Sequence, residues 1–327
     1  MFKTRKVSGV APWPLLLVTG EPKSGKTHTA CSMAGLPAFG RVVMLEVGER
    51  SADAYGALFP ELETLDKPVR TWRDLQVAVD AAVADAEFNS GNQDRPNVLI
   101  IDSMSEAWAE LRSTADREAI SRFTRRNKGA DIPADLKLGM DQWNALNSAH
   151  GKLLHSLTKF NGLVVLTARG GWVSVMDASG QPTRDKTFKT EGNRKLEFAA
   201  TAILRCESPG VVTLRGMTSP GAEPIGVNGV ECPTETNPIE WVLSRLPGRG
   251  SFEVVELPAG LISVAQAKQA VVDGCDGDRD KAKAVWAGNP LLADLGKDDS
   301  VDETFITDVV AGIPALLERL AVEVDGE

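Results

Sequence analysis

The sequence predicts an α/β fold, a mainly parallel sheet flanked by helices, followed by a small all-α module at the C-terminal end. Three observations carry this expectation. Short apolar runs alternate with longer amphipathic segments along most of the chain. Several runs are continuous in Val, Ile and Leu, as in Val98-Leu-Ile-Ile101, which is the pattern of strands covered on both faces. Beyond Pro258 the strand pattern gives way to Ala, Val and Leu at helical spacing.

In order, strands are expected at 14–19, 41–47, 98–102, 162–168, 200–206 and 211–216. Helices are expected at 25–33, 72–86, 105–121 and 136–159. The stretch 208–258 is rich in Gly and Pro and reads as a hairpin followed by loops. Residues 1–258 form the core in this reading. Residues 259–327 form the helical module, with helices at 263–273, 278–287 and 302–322. A chain of 327 residues, 43% hydrophobic and 25% charged, is long enough for such a core plus an appendage and is not a disordered polymer.

The formal net charge of −9 argues at first against bulk binding to nucleic acid or anionic membrane. Its placement changes the argument. Residues 261–327 hold 6 basic and 14 acidic groups, a net of −8, which leaves −1 for residues 1–260. Within that neutral body Arg122, Arg125, Arg126 and Lys128 fall in a window without an acid. Arg184, Lys186, Lys189, Arg194 and Lys195 form a second cluster, offset by Asp185 and Glu191. The four cysteines are far apart, with no C-x-x-C pair, and read as reduced, mostly buried thiols. The basic start lacks a signal-peptide core, and no apolar run approaches the ~20 residues of a membrane span. A soluble cytoplasmic protein is expected.

The most specific motif is Gly20-Glu21-Pro22-Lys23-Ser24-Gly25-Lys26-Thr27, which fits G-x-x-x-x-G-K-[ST], with His28 next in line. Glycines let such a loop turn its backbone N–H groups onto a phosphate; Lys26 would reach the β- and γ-phosphates and the Thr27 hydroxyl a Mg²⁺ ion. The loop follows an apolar strand and opens a helix, the context this chemistry needs. Val98-Leu-Ile-Ile-Asp102 places a carboxylate at the end of a buried strand, where it can hold the Mg²⁺ shell. ATP and Mg²⁺ are the implied ligands. Hydrolysis needs a group to orient water, and Glu46 and Glu49 stand near the end of the second strand. Thr167 and Arg169, ending the fourth long strand, are candidates to sense the γ-phosphate.

In this order of elements the sequence resembles the RecA-like ATPase core. The stretch Glu191-Gly-Asn-Arg-Lys195-Leu-Glu-Phe198 through Leu204-Arg205 is similar to the pattern entering RecA's late strand. The Thr167-Ala-Arg169 ending and Lys189-Thr-Glu-Gly192 resemble phage-type RecA-core ATPases, some of which act with single-strand annealing proteins. The resemblance spans about residues 10–220. It implies that Lys26 and Thr27 meet nucleotide and metal, that Asp102 meets metal, and that Lys189, Arg194 or Lys195 reaches a neighbouring subunit's ATP. It makes residues 121–137 and 170–190 look like DNA-facing loops, which are the two basic clusters, and offers Trp172 as a stacking surface. RecA's catalytic glutamate falls at Gly48, so that role passes to Glu49 or Glu46. RecA's glutamine at the fourth strand is replaced by Thr167 to Arg169.

The expected function is therefore an ATPase acting on DNA, single-stranded for preference, in recombination, annealing or replication. A homo-oligomer, either a ring or a filament formed on DNA, is implied. The alternative is a nucleotide-switched adaptor that never touches nucleic acid, its acidic C-terminal module docking a basic protein partner.

Overall fold

The central strands supply side chains alternately to two cores, one on each face of the sheet. This arrangement explains their unbroken apolar runs. The computed structural model describes residues 11–48, 51–90, 95–133, 136–177, 179–218, 225–246, 261–288, 292, 300–302, 306 and 309–314. The chain divides into two compact units, Met1–Glu253 and Val254–Glu327. The boundary expected at 258 lies outside the described residues.

In the first unit, among the described residues, the sheet contains β1 (Leu15–Gly20), β2 (Val42–Glu46), β3 (Leu62–Thr64), β4 (Val98–Asp102) and β5 (Leu163–Met176). It continues through β6 (Pro182–Thr190), β7 (Ala202–Ser208), β8 (Val211–Met217) and β9 (Val230–Glu231). The order across it is β3-β2-β4-β5-β1-β7-β8-β9, with β6 paired to the outer half of β5. Pairings from β3 to β7 are parallel, whereas β7-β8, β8-β9 and β5-β6 are antiparallel.

On one face Leu16, Val18, Met44, Ile100 and Val165 meet Ala30 and Cys31 of α1 (Lys26–Cys31) and Ile239 and Val242 of α7 (Pro238–Arg245). On the other, Leu17, Leu45, Leu99, Ile101 and Leu166 meet three helices: α3 (Trp72–Ala84), α4 (Met104–Arg126) and α5 (Met140–Thr158). Burying each of these large aliphatic side chains contributes about 1.5–3 kcal/mol. Two short helices, α2 (Ala52–Gly56) and α6 (Lys195–Ala199), also belong to this unit. The four cysteines are free and buried; burial pushes the Cys31 and Cys232 thiols up to about 12.

Several expected elements change. Helix α1 stops at Cys31 rather than 33, with Gly35 and Pro37 shortly beyond to prevent its continuation. Helix α4 runs on to Arg126, so Arg122, Arg125 and Arg126 are helical and only Lys128 lies past its end. The remainder of 121–137 is irregular where described. The segment 170–190 is not a loop. β5 continues well past the expected end at 168 and pairs with β6, whose mostly polar residues are held extended by the antiparallel backbone register from Gly170–Thr190 to Met176–Pro182.

The second unit contains α8 (Val264–Gly274) and α9 (Arg279–Gly288). It also contains an antiparallel pair, β10 (Leu261–Ser263) with β11 (Ser300–Asp302), so it is not wholly helical. Asp302 ends a strand instead of opening the expected helix 302–322. Helix is present at 309–314, and 315–327 lies outside the described residues. Val264, Ala267, Leu292 and Ile306 form one small core, and Val271, Val285 and Ile313 belong to another.

Candidate nucleotide-binding site

The parallel register brings the C-terminal ends of β1, β2 and β4, and Arg169 midway along β5, to one edge of the sheet. Glu46 stands opposite Asp102, and Gly20 opposite Arg169. Between β1 and α1 the chain turns back on itself, with the Ser24 N–H donating to the Glu21 carbonyl at 3.2 Å. Gly25 at φ 94° occupies a left-handed conformation that costs other residues roughly 1–2 kcal/mol, and from there α1 starts. Lys26 Nζ donates across the loop to the Glu21 carbonyl at 2.8 Å. Ser24 Oγ is buried without a hydrogen-bond partner among the described residues. A loop with its ammonium turned inward and an unsatisfied buried hydroxyl fits a phosphate chain.

Thr27 Oγ1 donates to Asp102 Oδ2 at 2.8 Å, and Thr167 Oγ1 donates to Asp102 Oδ1. The carboxylate is thus oriented by a hydroxyl from each neighbouring element, and both Asp102 and Thr167 are buried. Thr167 therefore meets the carboxylate, while Arg169, two residues on, lines the cleft. That cleft, of about 540 Å³, is lined by Pro22, Lys23, Lys26, Thr27, Asp102 and Arg169, and also by Ser51 and Tyr55. Hard oxygen donors on Thr27 and Asp102 suit Mg²⁺, whose remaining positions water and phosphate oxygens would fill.

The structure separates the other candidates. Glu46 accepts hydrogen bonds from the Ser51 hydroxyl and the Ala52 N–H, both at 3.0 Å, and from the Ser51 N–H; its carboxylate thus caps the start of α2. Glu49 lies outside the described residues. His28 packs edge-on against Phe59 at 5.4 Å and lines a second cleft beyond Gly25, with Pro209 and Pro233. Arg169 pairs with Glu106, and its backbone N–H donates to Ser105 Oγ at 2.9 Å. Lys189, Arg194 and Lys195 are exposed and do not line the cleft of their own chain.

The two basic clusters also differ. Arg122 is paired to Asp141 at 2.7 Å, whereas Arg125 is exposed and contacts the Ser121 carbonyl; Arg126 and Lys128 are exposed too. On the β5–β6 ribbon, Arg184, Lys186 and Lys189 are exposed, and Trp172, opposite Phe188 in the register, is 48% exposed. One face of Trp172 is taken: the Arg205 guanidinium lies 5.1 Å from its ring and 4.8 Å from that of Phe188. Arg205 itself is buried and paired with Glu207 at 2.6 Å. The sequence reading missed Ser51, Tyr55, Ser105, Glu106 and Arg205 as neighbours of these sites. Only Glu106, in the first turn after the carboxylate strand, had a positional signal.

Loop, carboxylate strand and sheet order together define a P-loop ATPase fold of the RecA-like class. The chain belongs to a family of AAA domains, which matches it over residues 14–212. No curated protein matches it. Among solved structures it is similar to the RadB recombinase, at 15% identity and a TM-score of 0.37, over 64% of this chain and 84% of that one. Among the described residues no helix is long and apolar enough to cross a membrane.

Proposed function

We propose that this protein is a Mg²⁺-dependent ATPase that acts on single-stranded DNA as a homo-oligomer, in phage-type recombination, annealing or replication. The observation that carries this reading is the continuity of β5. Its inner half lies in the sheet between β4 and β1, Arg169 lines the phosphate cleft, and its outer half becomes the exposed ribbon bearing Trp172. A change at the γ-phosphate side of the cleft reaches the ribbon through one unbroken strand. The ribbon combines an aromatic face with Arg184 and Lys186, the pairing that sequence-tolerant recognition of single strands uses. Arg125, Arg126 and Lys128 add a second basic surface.

Within the cleft Lys26 neutralises the phosphates, and Thr27 with Asp102 holds the metal, which would draw charge from the transferred phosphoryl group. Lys189, Arg194 and Lys195, exposed and absent from the lining of their own cleft, serve a neighbour's ATP in the oligomer. The acidic C-terminal unit, net −8 from residue 261 onward, takes a basic protein partner.

The test is fluorescence anisotropy with a labelled single-stranded oligonucleotide and a slowly hydrolysed ATP analogue. Contact with three or four phosphates should weaken binding roughly 20- to 50-fold between 50 and 200 mM salt. Absence of binding at 50 mM salt would remove DNA from the account.

A further inference from the structure

We infer that Glu106 is the carboxylate that takes the proton from the attacking water, and that Arg169 holds it aside until a γ-phosphate enters the cleft. This rests on the reading of the site as an ATPase. Glu106 sits on the first turn of α4, directly after the carboxylate strand, and its side chain reaches back to the end of β2. There Gly48 stands at φ 77°, and a Cβ built on it would lie 3.2 Å from Glu106 Cβ, 3.3 Å from Cγ and 3.4 Å from Oε2. The space a side chain at the tip of β2 would fill is therefore filled by Glu106. The other described carboxylate at that tip, Glu46, is engaged with three donors at the head of α2.

Arg169 connects this carboxylate to the cleft. Its guanidinium pairs with Glu106 while the residue lines the same wall as Lys26, Thr27 and Asp102. The backbones on both sides are pinned. Ser103 Oγ accepts the Glu106 N–H at 3.3 Å, and Ser105 Oγ accepts the Arg169 N–H. Glu106 is 29% exposed, within reach of water. A γ-phosphate draws the guanidinium toward its negative charge and leaves Glu106 to orient a water. The water oxygen bonds to the γ-phosphorus as the bond from that phosphorus to the bridging oxygen breaks. The bridging electron pair leaves with ADP, and the water proton passes to Glu106 and then to phosphate or solvent.

The experiment measures ATP turnover with single-stranded DNA and ATP affinity for the full chain and its Glu106→Gln, Glu106→Asp and Glu49→Gln variants. Glu106→Gln should lose about 100-fold or more in turnover with ATP affinity within about threefold of the parent, and Glu106→Asp should recover part of the loss. Turnover of Glu106→Gln within about threefold of the parent, or loss of ATP binding along with turnover, would overturn the assignment. So would a comparable loss found only in Glu49→Gln. A parent chain that binds ATP without turning it over, with or without DNA, would instead defeat the ATPase reading beneath it, a result visible before any variant is made.

Discussion

Replacing Thr167 by Val tests whether the metal-side carboxylate is held by the strand beside it. The substitution keeps the β-branched shape and removes one hydroxyl, whose hydrogen bond to Asp102 Oδ1 is buried completely. A hydrogen bond to a charged group contributes about 1.5–3 kcal/mol, and the low dielectric around a 3% exposed carboxylate favours the upper part of that range. At about 3 °C per kcal/mol for a unit of this size, the melting temperature should fall by roughly 4–9 °C. The second effect is functional. With one of its orienting hydroxyls removed, Asp102 should demand more Mg²⁺ for nucleotide binding. Thermal unfolding followed by circular dichroism, with Mg²⁺ titrated against a fluorescent ATP analogue, reads both. A melting shift under about 1 °C with an unchanged Mg²⁺ requirement would refute the placement of Thr167 as the orienting group.

Other consequences follow from the same geometry. Lys26→Ala should abolish ATP binding by calorimetry, while Asp102→Asn should keep part of it and lose most of its Mg²⁺ dependence. Reversing charge at Arg125 and Arg126 should weaken single-stranded DNA binding and flatten its salt slope by about 1–1.5, leaving ATP affinity in the absence of DNA unchanged. His150 is buried between Trp72 and Trp108, and burial, with Lys195 second, depresses its pKa from 6.5 to about 4. The unfolded chain therefore binds the extra proton first. Stability should be complete above pH 6.5 and fall as pH drops toward 4, by about 2 kcal/mol at pH 5, and His150→Gln should flatten that slope in urea titrations.

What the sequence disclosed, and what it hid, follows from where each signal resides. The loop at 20–27 and the strand ending in Asp102 are local: glycine spacing, a lysine and a continuous apolar run suffice to find them. The ribbon of β5 and β6 escaped because Pro182–Thr190 is nearly all polar and exposed, and is extended through backbone pairing to a strand some twenty residues away in register at its base. Helix α2 is capped by Glu46 from the preceding strand, a contact that no propensity within residues 52–56 announces. Helix α7 was more legible than the reading made of it. Asn237 caps it and Pro238 occupies its first turn, a start signal lost among the prolines and glycines around it. Thr167 and Glu106 acquire their roles only from three-dimensional neighbours. Thr167 is turned onto Asp102 by strand order, and Glu106 is brought to Gly48 by the first turn of α4.

The most direct measurement is steady-state ATP turnover by the intact chain, with Mg²⁺ at low salt, in the presence and absence of single-stranded DNA. The account predicts Mg²⁺-dependent turnover that rises at least several-fold on adding DNA and disappears in Lys26→Ala. Turnover indifferent to DNA, or surviving in Lys26→Ala, would contradict it.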